Sequence, residues 1–476
     1  MRSVNKKVAA GITAIWMFCF TLVSGIAQEA DLHDEDILEL NLERAVEIAL
    51  DENPIIRIAD LEIERVDYAL REARSALIPS VSAEGNYTRN VKKPVMFLSD
   101  DFFGPGDPEQ SGGSGGGAIE MGYDNSYTGN LNASMPLFSY SLYQNIQLSE
   151  HDVELAIEAS RSSRIEMIAQ VRKAYYSLLL AYDSYEVILR SLENAERNFA
   201  DVQNLYEQGM VSEYDVIRSE VQVNNIKPSV VQARNGIETA KMMVRALLGL
   251  HTDVDFSVID SLNDYNGEDE ELHPAIYQLS KAHHNNSDLR HLDLEIERMS
   301  TQFDAVRSQR YPTLSAFANY QFTSQADNFR FSEYHWAKPF SVGLQVQIPI
   351  FNGFSIRHQE QQVKIGQHQM QLQRENLDRN LSVQVRNAIS SMESALEQVE
   401  SNRSGIAQAE RGYEIAQTRY EAGTGTFLEL NDAEMALTQA RLNLNQSMYE
   451  YLEAEAEYRK VIGEAEYFEN TMIEEQ

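Results

Sequence analysis

The residues best suited to chemistry in this sequence are three histidines and one glycine-rich stretch. His283, His284 and His291 could offer nitrogen ligands to a transition metal, but their spacing matches no metal site, and we interpret them as surface residues of a solvated helix. The glycines between residues 112 and 117 could cradle a phosphate, yet no Lys-Ser or Lys-Thr pair follows them. We therefore predict no metal site and no bound cofactor.

The charge balance of the chain is strongly acidic. Its 476 residues include 73 Asp and Glu against 40 Lys and Arg, which gives a formal net charge of −33. Nucleic-acid-binding proteins need a basic face, so we exclude nucleic acid as a partner. Carboxylates are abundant, but no cleft or neighbouring group in the sequence marks one of them for acid–base catalysis. We predict that the protein is not an enzyme.

Residues 1–27 have the layout of a secretory signal peptide. A basic start precedes an apolar run over residues 8–23, and the small residues at 25–27 resemble a cleavage site. A retained membrane anchor is the alternative, but the run is short and acidic residues follow it at once. The single cysteine, Cys19, lies inside this segment, so the mature chain would contain neither a disulfide nor a thiolate ligand.

The chain consists of two copies of one unit. Met135-Pro136-Leu137-Phe138 recurs 213 residues later as Ile348-Pro349-Ile350-Phe351, and Tyr206-Glu207-Gln208-Gly209 recurs 214 residues later as Tyr420-Glu421-Ala422-Gly423. A further match, between the stretches that begin at Ile78 and Tyr311, has an offset of 233 residues. The offset differs because the first half carries a longer, glycine-rich loop within residues 90–122. Several matches that share order and spacing indicate duplication.

Four stretches alternate between apolar and polar residues, which predicts strands with one apolar and one polar face. They cover residues 80–89, 124–138, 313–323 and 339–351. Each is long enough to cross a bilayer with tilt, and aromatic residues gather near the strand ends, as in the girdles of membrane strands. No apolar run of about 20 residues follows residue 23, so any membrane-spanning element must be a β-strand. A soluble, half-buried sheet is the alternative, although the polar residues are small and uncharged, as suits a wet lumen; Phe317 breaks that polar set.

Long helices follow each pair of strands. Apolar residues recur at the 3-4 spacing of coiled coils, and residues 140–206 and 355–420 contain no proline. At 1.5 Å per residue, each of these stretches would form a rod of roughly 100 Å. We predict long helices at residues 140–208, 212–249, 354–421 and 426–462.

The predicted fold class is mixed and mainly α, with a duplicated unit of two transmembrane β-strands and two long coiled-coil helices. The first repeat covers residues 28–273, the second covers 274–463, and an acidic tail occupies 464–476. Four strands cannot close a barrel, and an open edge in lipid would leave backbone groups unsatisfied at several kcal/mol each. Three copies would supply twelve strands, an even number typical of outer-membrane barrels. A homotrimer is therefore the natural count, although the sequence alone admits others.

This order of strand pairs, helix pairs and a Tyr-x-x-Gly-Thr turn resembles the TolC-like outer-membrane efflux family (outer membrane factors) over nearly the whole mature chain. The resemblance implies a trimer in the cell outer membrane, with a 12-stranded β-barrel joined to a periplasmic α-helical barrel. Residues 139–249 and 353–463 would form the helical tunnel, and residues 250–273 with the two termini would form a belt around its middle.

The resemblance also implies a function and partners. The protein would be the exit duct of a tripartite efflux or type I secretion system, with its barrel in contact with outer-membrane lipid. Cargo would arrive from an inner-membrane transporter of the RND, ABC or MFS class, through a periplasmic adaptor (membrane fusion) protein.

A gate at the periplasmic helix tips is a further implication of the resemblance. Glu429 and Asp432 fall where the family has its constricting acidic pair, and their i, i+3 spacing places them on one helix face. Repeated threefold, they would form carboxylate rings that attract cations. Two solvated helix carboxylates are the alternative. Asp215 and Tyr420 match a pair that links neighbouring helices in the closed state of the family.

The turns at the helix tips carry the last of these expectations. Gly425 stands where the best-known family member has an arginine that forms a second link, so the closed state here would be held differently. Gly209 and Gly423 are interpreted as helix C-terminal caps in the left-handed conformation, and Thr424 follows in the same turn.

A periplasmic coiled-coil adaptor or scaffold is the alternative function. It explains the helical rods and predicts a soluble protein, but it leaves the four alternating strands and the signal peptide unexplained. A secreted hydrolase is a third class, for which the sequence offers no site. Drug, metal and protein cargo are not distinguished by the sequence, because specificity in such systems lies mainly with the transporter.

Overall fold

A computed structural model describes residues 38–97, 118–251, 254–265 and 275–464 of the chain. The predicted signal peptide, the glycines at 112–117 and residues 465–476 of the predicted tail lie outside the described residues. The helices are α1 (Leu42–Glu52), α2 (Pro54–Ser75), α3 (Tyr140–Glu207), α4 (Glu213–Leu248), α5 (Ala275–Asn285), α6 (Ser287–Ser308), α7 (Ser355–Glu421) and α8 (Phe427–Val461). The strands are β1 (Leu38–Leu40), β2 (Ser80–Arg89), β3 (Val95–Phe97), β4 (Ala118–Glu120), β5 (Asn125–Phe138), β6 (Phe256–Val258), β7 (Thr313–Ala326) and β8 (Phe340–Gln347).

The architecture confirms the predicted fold class. The described residues are mainly helical, with long helices and one four-stranded antiparallel sheet. The strand order is β2-β5-β7-β8, so each half of the chain contributes two neighbouring strands. Ser80 lies opposite Ser134 where β2 meets β5, and Thr313 lies opposite Gln347 where β7 meets β8. β2 and β8 are the two edges of this sheet.

The strand ends differ from the predicted ones at two places. β8 ends at Gln347 rather than at residue 351, just before Pro349, which has no N–H to donate to a ladder. β7 continues to Ala326 because its last residues pair with β5, Gln325 opposite Ser126 and Ala326 opposite Asn125. Both strand ends depend on which backbone groups can pair, and the alternation of apolar and polar residues does not show that.

One face of β8 is apolar and open. Phe340, Val342, Leu344 and Val346 are between 60% and 68% exposed in a single chain. Phe317, the exception in the polar set of β7, lies opposite Gly343, and a Cβ on that glycine would lie only 2.8 Å from the phenyl ring. The ring therefore covers the glycine, which explains an apolar residue at a polar position.

The long helices pack in pairs. α3 runs beside α4, α7 runs beside α8, and α3 also contacts α8, so that the two halves of the chain meet along these two helices. Among the described residues, none of the helices combines the length and the apolar character that crossing a membrane requires.

The main core lies at the middle of α3. The Tyr175 hydroxyl, fully buried there, contacts the Leu40 carbonyl oxygen at 3.1 Å and the Asp260 carboxylate at 2.8 Å. The Tyr265 hydroxyl donates to the same carboxylate at 2.7 Å. β1 and β6, which pair in parallel, bring these two segments together against the helix.

A polar contact repeated in both halves fixes the short helices to the long ones. The Asn53 side chain caps α2 and donates to the Leu247 carbonyl at 2.7 Å; the Asn286 side chain caps α6 and donates to the Val461 carbonyl at 3.2 Å. Gly249 has a φ of 70°, and a Cβ there would lie 2.9 Å from the Glu52 carbonyl oxygen. The two halves therefore share side-chain contacts as well as sequence.

Candidate functional site at the helix tips

Each long helix pair ends in a tight turn that a glycine makes possible. Gly209 and Gly423 have φ values of 74° and 70°, the left-handed region that side chains disfavour. The Gly209 amide donates to the Tyr206 carbonyl at 2.8 Å, and the Gly423 amide donates to the Tyr420 carbonyl at 3.0 Å. The backbone conformation, and not a lack of space, favours glycine here, because a Cβ at either position would meet no atom within 4 Å. The structure thus assigns both predicted glycines to helix C-terminal caps.

Two of the predicted gate carboxylates have a local structural role. Asp215 is the third residue of α4 and forms a capping box with Ser212: the Ser212 amide donates to Asp215 Oδ2 at 3.2 Å, and the Asp215 amide donates to Ser212 Oγ at 3.3 Å. Glu429 is the third residue of α8 and forms the same box with Thr426. Each carboxylate satisfies amides at a helix N-terminus, which also favours negative charge.

An arginine that the sequence analysis did not single out lies in the second turn. Arg419 Nη1 lies 3.5 Å from Glu429 Oε2, and Arg419 Nη2 donates to the Thr424 carbonyl at 3.4 Å. Thr424 in turn donates from its amide and its hydroxyl to the Arg419 carbonyl, at 2.9 and 3.2 Å. Thr424 therefore holds the end of α7 to the turn, and the arginine faces Glu429, one of the three predicted gate carboxylates.

Gly425 lies too close to the end of α7 for a side chain. Its amide donates to the Arg419 carbonyl at 2.9 Å, and a Cβ would lie 3.0 Å from the Arg419 Cβ and 3.1 Å from the Tyr420 amide nitrogen. An arginine at this position would require the turn to move. Arg419 supplies positive charge to the same turn from a different place in the sequence.

Tyr420 is partly buried at the end of α7, with its ring centroid 6.2 Å from that of Phe427. Its hydroxyl has no hydrogen-bond partner within the described part of the chain. Burial raises the pKa of the Tyr420 hydroxyl, and the charges of Asp215 and Asp201 act in the same direction. The charge of Asp215 therefore acts on the Tyr420 hydroxyl, but the predicted link between the two side chains is not made within one chain.

The site also includes a buried acid that the sequence analysis missed. Glu434, on α8, is only 6% exposed, and its Oε2 accepts a hydrogen bond from Asn198 Nδ2 of α3 at 3.1 Å. The sequence spacing could have indicated this burial, because Leu430 and Leu437 lie four residues before Glu434 and three after it, on the same buried helix face. Asp432, in contrast, is exposed in the second turn of α8.

Outside the helix tips, the described residues offer few groups that could bind a ligand. The described residues contain no group of three His, Cys, Asp or Glu side chains that could hold a metal ion. His283 lies 3.6 Å from Asp378. A groove of about 1100 Å³ between α3, α7 and α8 is lined largely by amides, hydroxyls and carboxylates. Two of its carboxylates are paired, Glu457 with Lys173 at 2.7 Å and Glu166 with Lys460 at 2.8 Å.

Comparison with known proteins decides the family. The sequence model described as "Outer membrane efflux protein" matches residues 45–250 and 278–464, which together make up most of the chain. The chain belongs to the outer membrane efflux protein family. The protein is thus an outer-membrane efflux or secretion channel with a periplasmic helical extension, and not an enzyme. Members of this family act in tripartite efflux systems. These findings confirm the predicted family and its general function.

Individual relatives agree with this assignment. The alkaline protease secretion protein AprF of Pseudomonas aeruginosa is 23% identical over 435 residues, 90% of this chain and 85% of AprF. The outer membrane protein TolC of Escherichia coli is 20% identical over 432 residues, 89% of this chain and 82% of TolC.

Solved structures show the same fold. A crystal structure of CusC matches with a TM-score of 0.69 at 18% identity, covering 90% of this chain and 93% of CusC. The CmeC outer membrane channel of Campylobacter jejuni matches with a TM-score of 0.68 at 16% identity, covering 91% of this chain and 89% of CmeC.

Proposed function

We propose that the protein is a homotrimeric exit duct in the outer membrane, exported by the signal peptide at residues 1–27. Three copies of the four-stranded sheet form a 12-stranded β-barrel, and the long helices form a periplasmic tunnel that opens and closes at the helix tips. The two repeats, residues 28–273 and 274–463, each contribute one strand pair and one helix pair.

The observation that supports this proposal is that the four-stranded sheet is open. Its edge strands β2 and β8 each pair on one side only within the described residues, while the apolar face of β8 is exposed. In lipid, unpaired backbone groups on both edges would each cost several kcal/mol. Pairing of β8 in one copy with β2 in the next removes both edges, and the exposed apolar face then meets hydrocarbon.

The gate is assigned to the helix tips. Around a threefold axis, Glu429 and Asp432 form rings of carboxylates that attract cations. Arg419 lies against Glu429 and offsets part of that charge. The buried, unpartnered hydroxyl of Tyr420 supports a link that is completed between chains, with Asp215 of a neighbouring copy as the acceptor.

The partners follow from membership of tripartite systems. A periplasmic adaptor (membrane fusion) protein surrounds the tips, and an inner-membrane transporter of the RND, ABC or MFS class delivers the cargo. Both efflux and protein secretion are represented among similar proteins, since AprF is named for alkaline protease secretion and CusC for a cation efflux system.

A pair of matched substitutions tests the duct. Leu344 and Gln345 are neighbours on β8 that point to opposite faces, and both are exposed in a single chain. Leu344→Asp places a charge in hydrocarbon and is expected to abolish the heat-resistant trimer and the carbonate-resistant membrane fraction; Gln345→Asp faces the lumen and is expected to preserve both. A wild-type protein that carbonate releases from membranes, or equal behaviour of the two variants, would favour the soluble adaptor or scaffold instead.

A further inference from the structure

Glu434 joins the two halves of the chain just above the second helix tip. It lies seven residues into α8, which is about two turns from the helix start. Its Oε2 accepts the hydrogen bond from Asn198 of α3, so the contact links the first helix pair to the second. Its Oε1 is buried without a hydrogen-bond partner in the described part of the chain.

The groups around the Glu434 carboxyl offset only part of the cost of burying its negative charge. From α3, Asn198 donates the hydrogen bond to the carboxylate, and Asn194 and the charge of Arg197 also favour its ionised form. Arg197 itself donates to the Asn194 side-chain oxygen at 3.2 Å. From α7, Tyr413 faces the acid, and the nearby negative charge adds to burial in raising the pKa of its hydroxyl.

Along α8, the next charged side chain on this face is Arg441, two turns further along. It is paired with Glu410 of α7 at 3.0 Å. The other buried residues of α8 near Glu434 are Phe427, Leu430, Asn431 and Leu437, none of which is charged.

Burial therefore favours the neutral acid. Loss of hydration raises the pKa of Glu434 to about 7, against an ordinary value of 4.5, although Asn194, Arg197 and Asn198 oppose the shift. A carboxyl that is buried in one arrangement and hydrated in another binds its proton more tightly in the buried one. Lower pH then favours the arrangement in which α8 stays against α3.

We propose that Glu434 is a protonation-dependent latch that holds α8 against α3 and thereby keeps the helix tip closed. The proposal rests on the assignment of the gate to the tips. When Glu434 is protonated, the neutral acid remains buried against Asn198. When it ionises, the uncompensated charge favours hydration, and the second helix pair separates from the first at its tip.

The expected pH window follows from the two pKa values. Between about pH 7 and pH 4.5, each fall in pH increasingly favours the latched state, and above pH 7 this preference is lost. From pH 7.5 to pH 5.5, the equilibrium shifts toward the latched state by on the order of 10-fold per chain. Glu434→Gln keeps the size and the hydrogen-bond acceptor but cannot ionise, so it imitates the protonated acid at every pH.

Two readouts on the full-length protein in lipid test the latch. The first is single-channel conductance between pH 5.5 and 8. The second is the distance between spin labels on cysteines introduced at exposed Asn204 of α3 and exposed Ala436 of α8; the single native cysteine, Cys19, lies in the proposed signal peptide. Glu193→Gln, which changes an exposed glutamate of α3 at a similar height, is the matched control.

The wild type and Glu193→Gln are expected to show higher conductance and a longer α3–α8 distance at pH 8 than at pH 5.5. Glu434→Gln is expected to hold the pH 5.5 values throughout. If Glu434→Gln follows pH like the wild type in both readouts, the latch is overturned and the gate assignment stands. If the distance responds to pH and to Glu434→Gln as expected while conductance does not, the latch is supported and the gate assignment at the tips is overturned.

Discussion

Arg419 Nη1 and Glu429 Oε2 lie 3.5 Å apart across the turn that joins α7 to α8. The arginine is in the last turn of one helix and the glutamate in the first turn of the next, so each charge also complements the dipole of its own helix. One of the two proposed gate carboxylates therefore has a cation beside it in the same chain. Asp432, one turn further along α8, is exposed.

Arg419 is expected to limit cation binding at the gate. Arg419→Gln removes the positive charge beside Glu429, so block of conductance by divalent cations should appear at severalfold lower cation concentration in reconstituted bilayers. Salt should weaken the effect, because the groups are solvent-exposed. Arg411→Gln is the matched control, since Arg411 pairs with Glu414 on its own helix, at 3.0 Å. Equal cation block in both variants would remove Arg419 from the gate.

The charge and the capping role of Glu429 can be separated by substitution. Glu429→Gln combined with Asp432→Asn removes both charges while Gln retains the capping box, so we expect weaker cation block and an almost unchanged melting temperature. Glu429→Ala with Asp432→Ala also removes the Glu429 half of the capping box, in which the carboxylate accepts from the Thr426 amide, and should in addition cost about 1 kcal/mol of stability. Conductance measurements and thermal melts distinguish the two effects. Cation block that survives the amide variant would show that these carboxylates do not line the constriction.

The positive φ of Gly423 predicts a stability difference between two glycines of the same helix pair. Gly423→Ala forces a side chain into the left-handed region and should cost roughly 1 kcal/mol. Gly405→Ala lies inside α7 with open space around it and should be neutral or stabilising by up to about 1 kcal/mol. Proteolysis of the tip and thermal unfolding measure both. Similar losses in the two variants would contradict the assigned cap.

Local periodicity predicted much of this fold, because strands and helices each impose a period on the sequence that needs no tertiary information. The pattern could not locate the end of β8, which depends on Pro349 and on the chain direction beyond it. Nor could it explain Phe317, whose place on the polar face depends on a glycine in the neighbouring strand.

The candidate site was harder to predict for the same reason. Asp215 and Glu429 could be assigned by position, but their capping boxes depend on the geometry of the turns. Glu434 looks like any other helix glutamate until α3 is placed against α8, and only then is it seen to be buried. Arg419 likewise gained a role only when the turn brought it to Glu429.

Tyr420 tests whether the closed tip is completed between chains. Within one chain its hydroxyl is buried and unpartnered in the described residues, so Tyr420→Phe would remove an unsatisfied group and should not destabilise an isolated chain. In the proposed trimer, the hydroxyl donates to Asp215 of a neighbouring copy, and its loss should raise the conductance of the closed channel.

Tyr206→Phe is the matched control for this substitution, because Tyr206 occupies the equivalent place in the first tip and is 43% exposed. It should leave conductance unchanged. Single-channel recordings and thermal melts of both variants separate the two cases. A Tyr420→Phe protein that conducts like the wild type and melts at a higher temperature would mean that the hydroxyl remains unpaired in the assembly, and the proposed link to Asp215 would have to be abandoned.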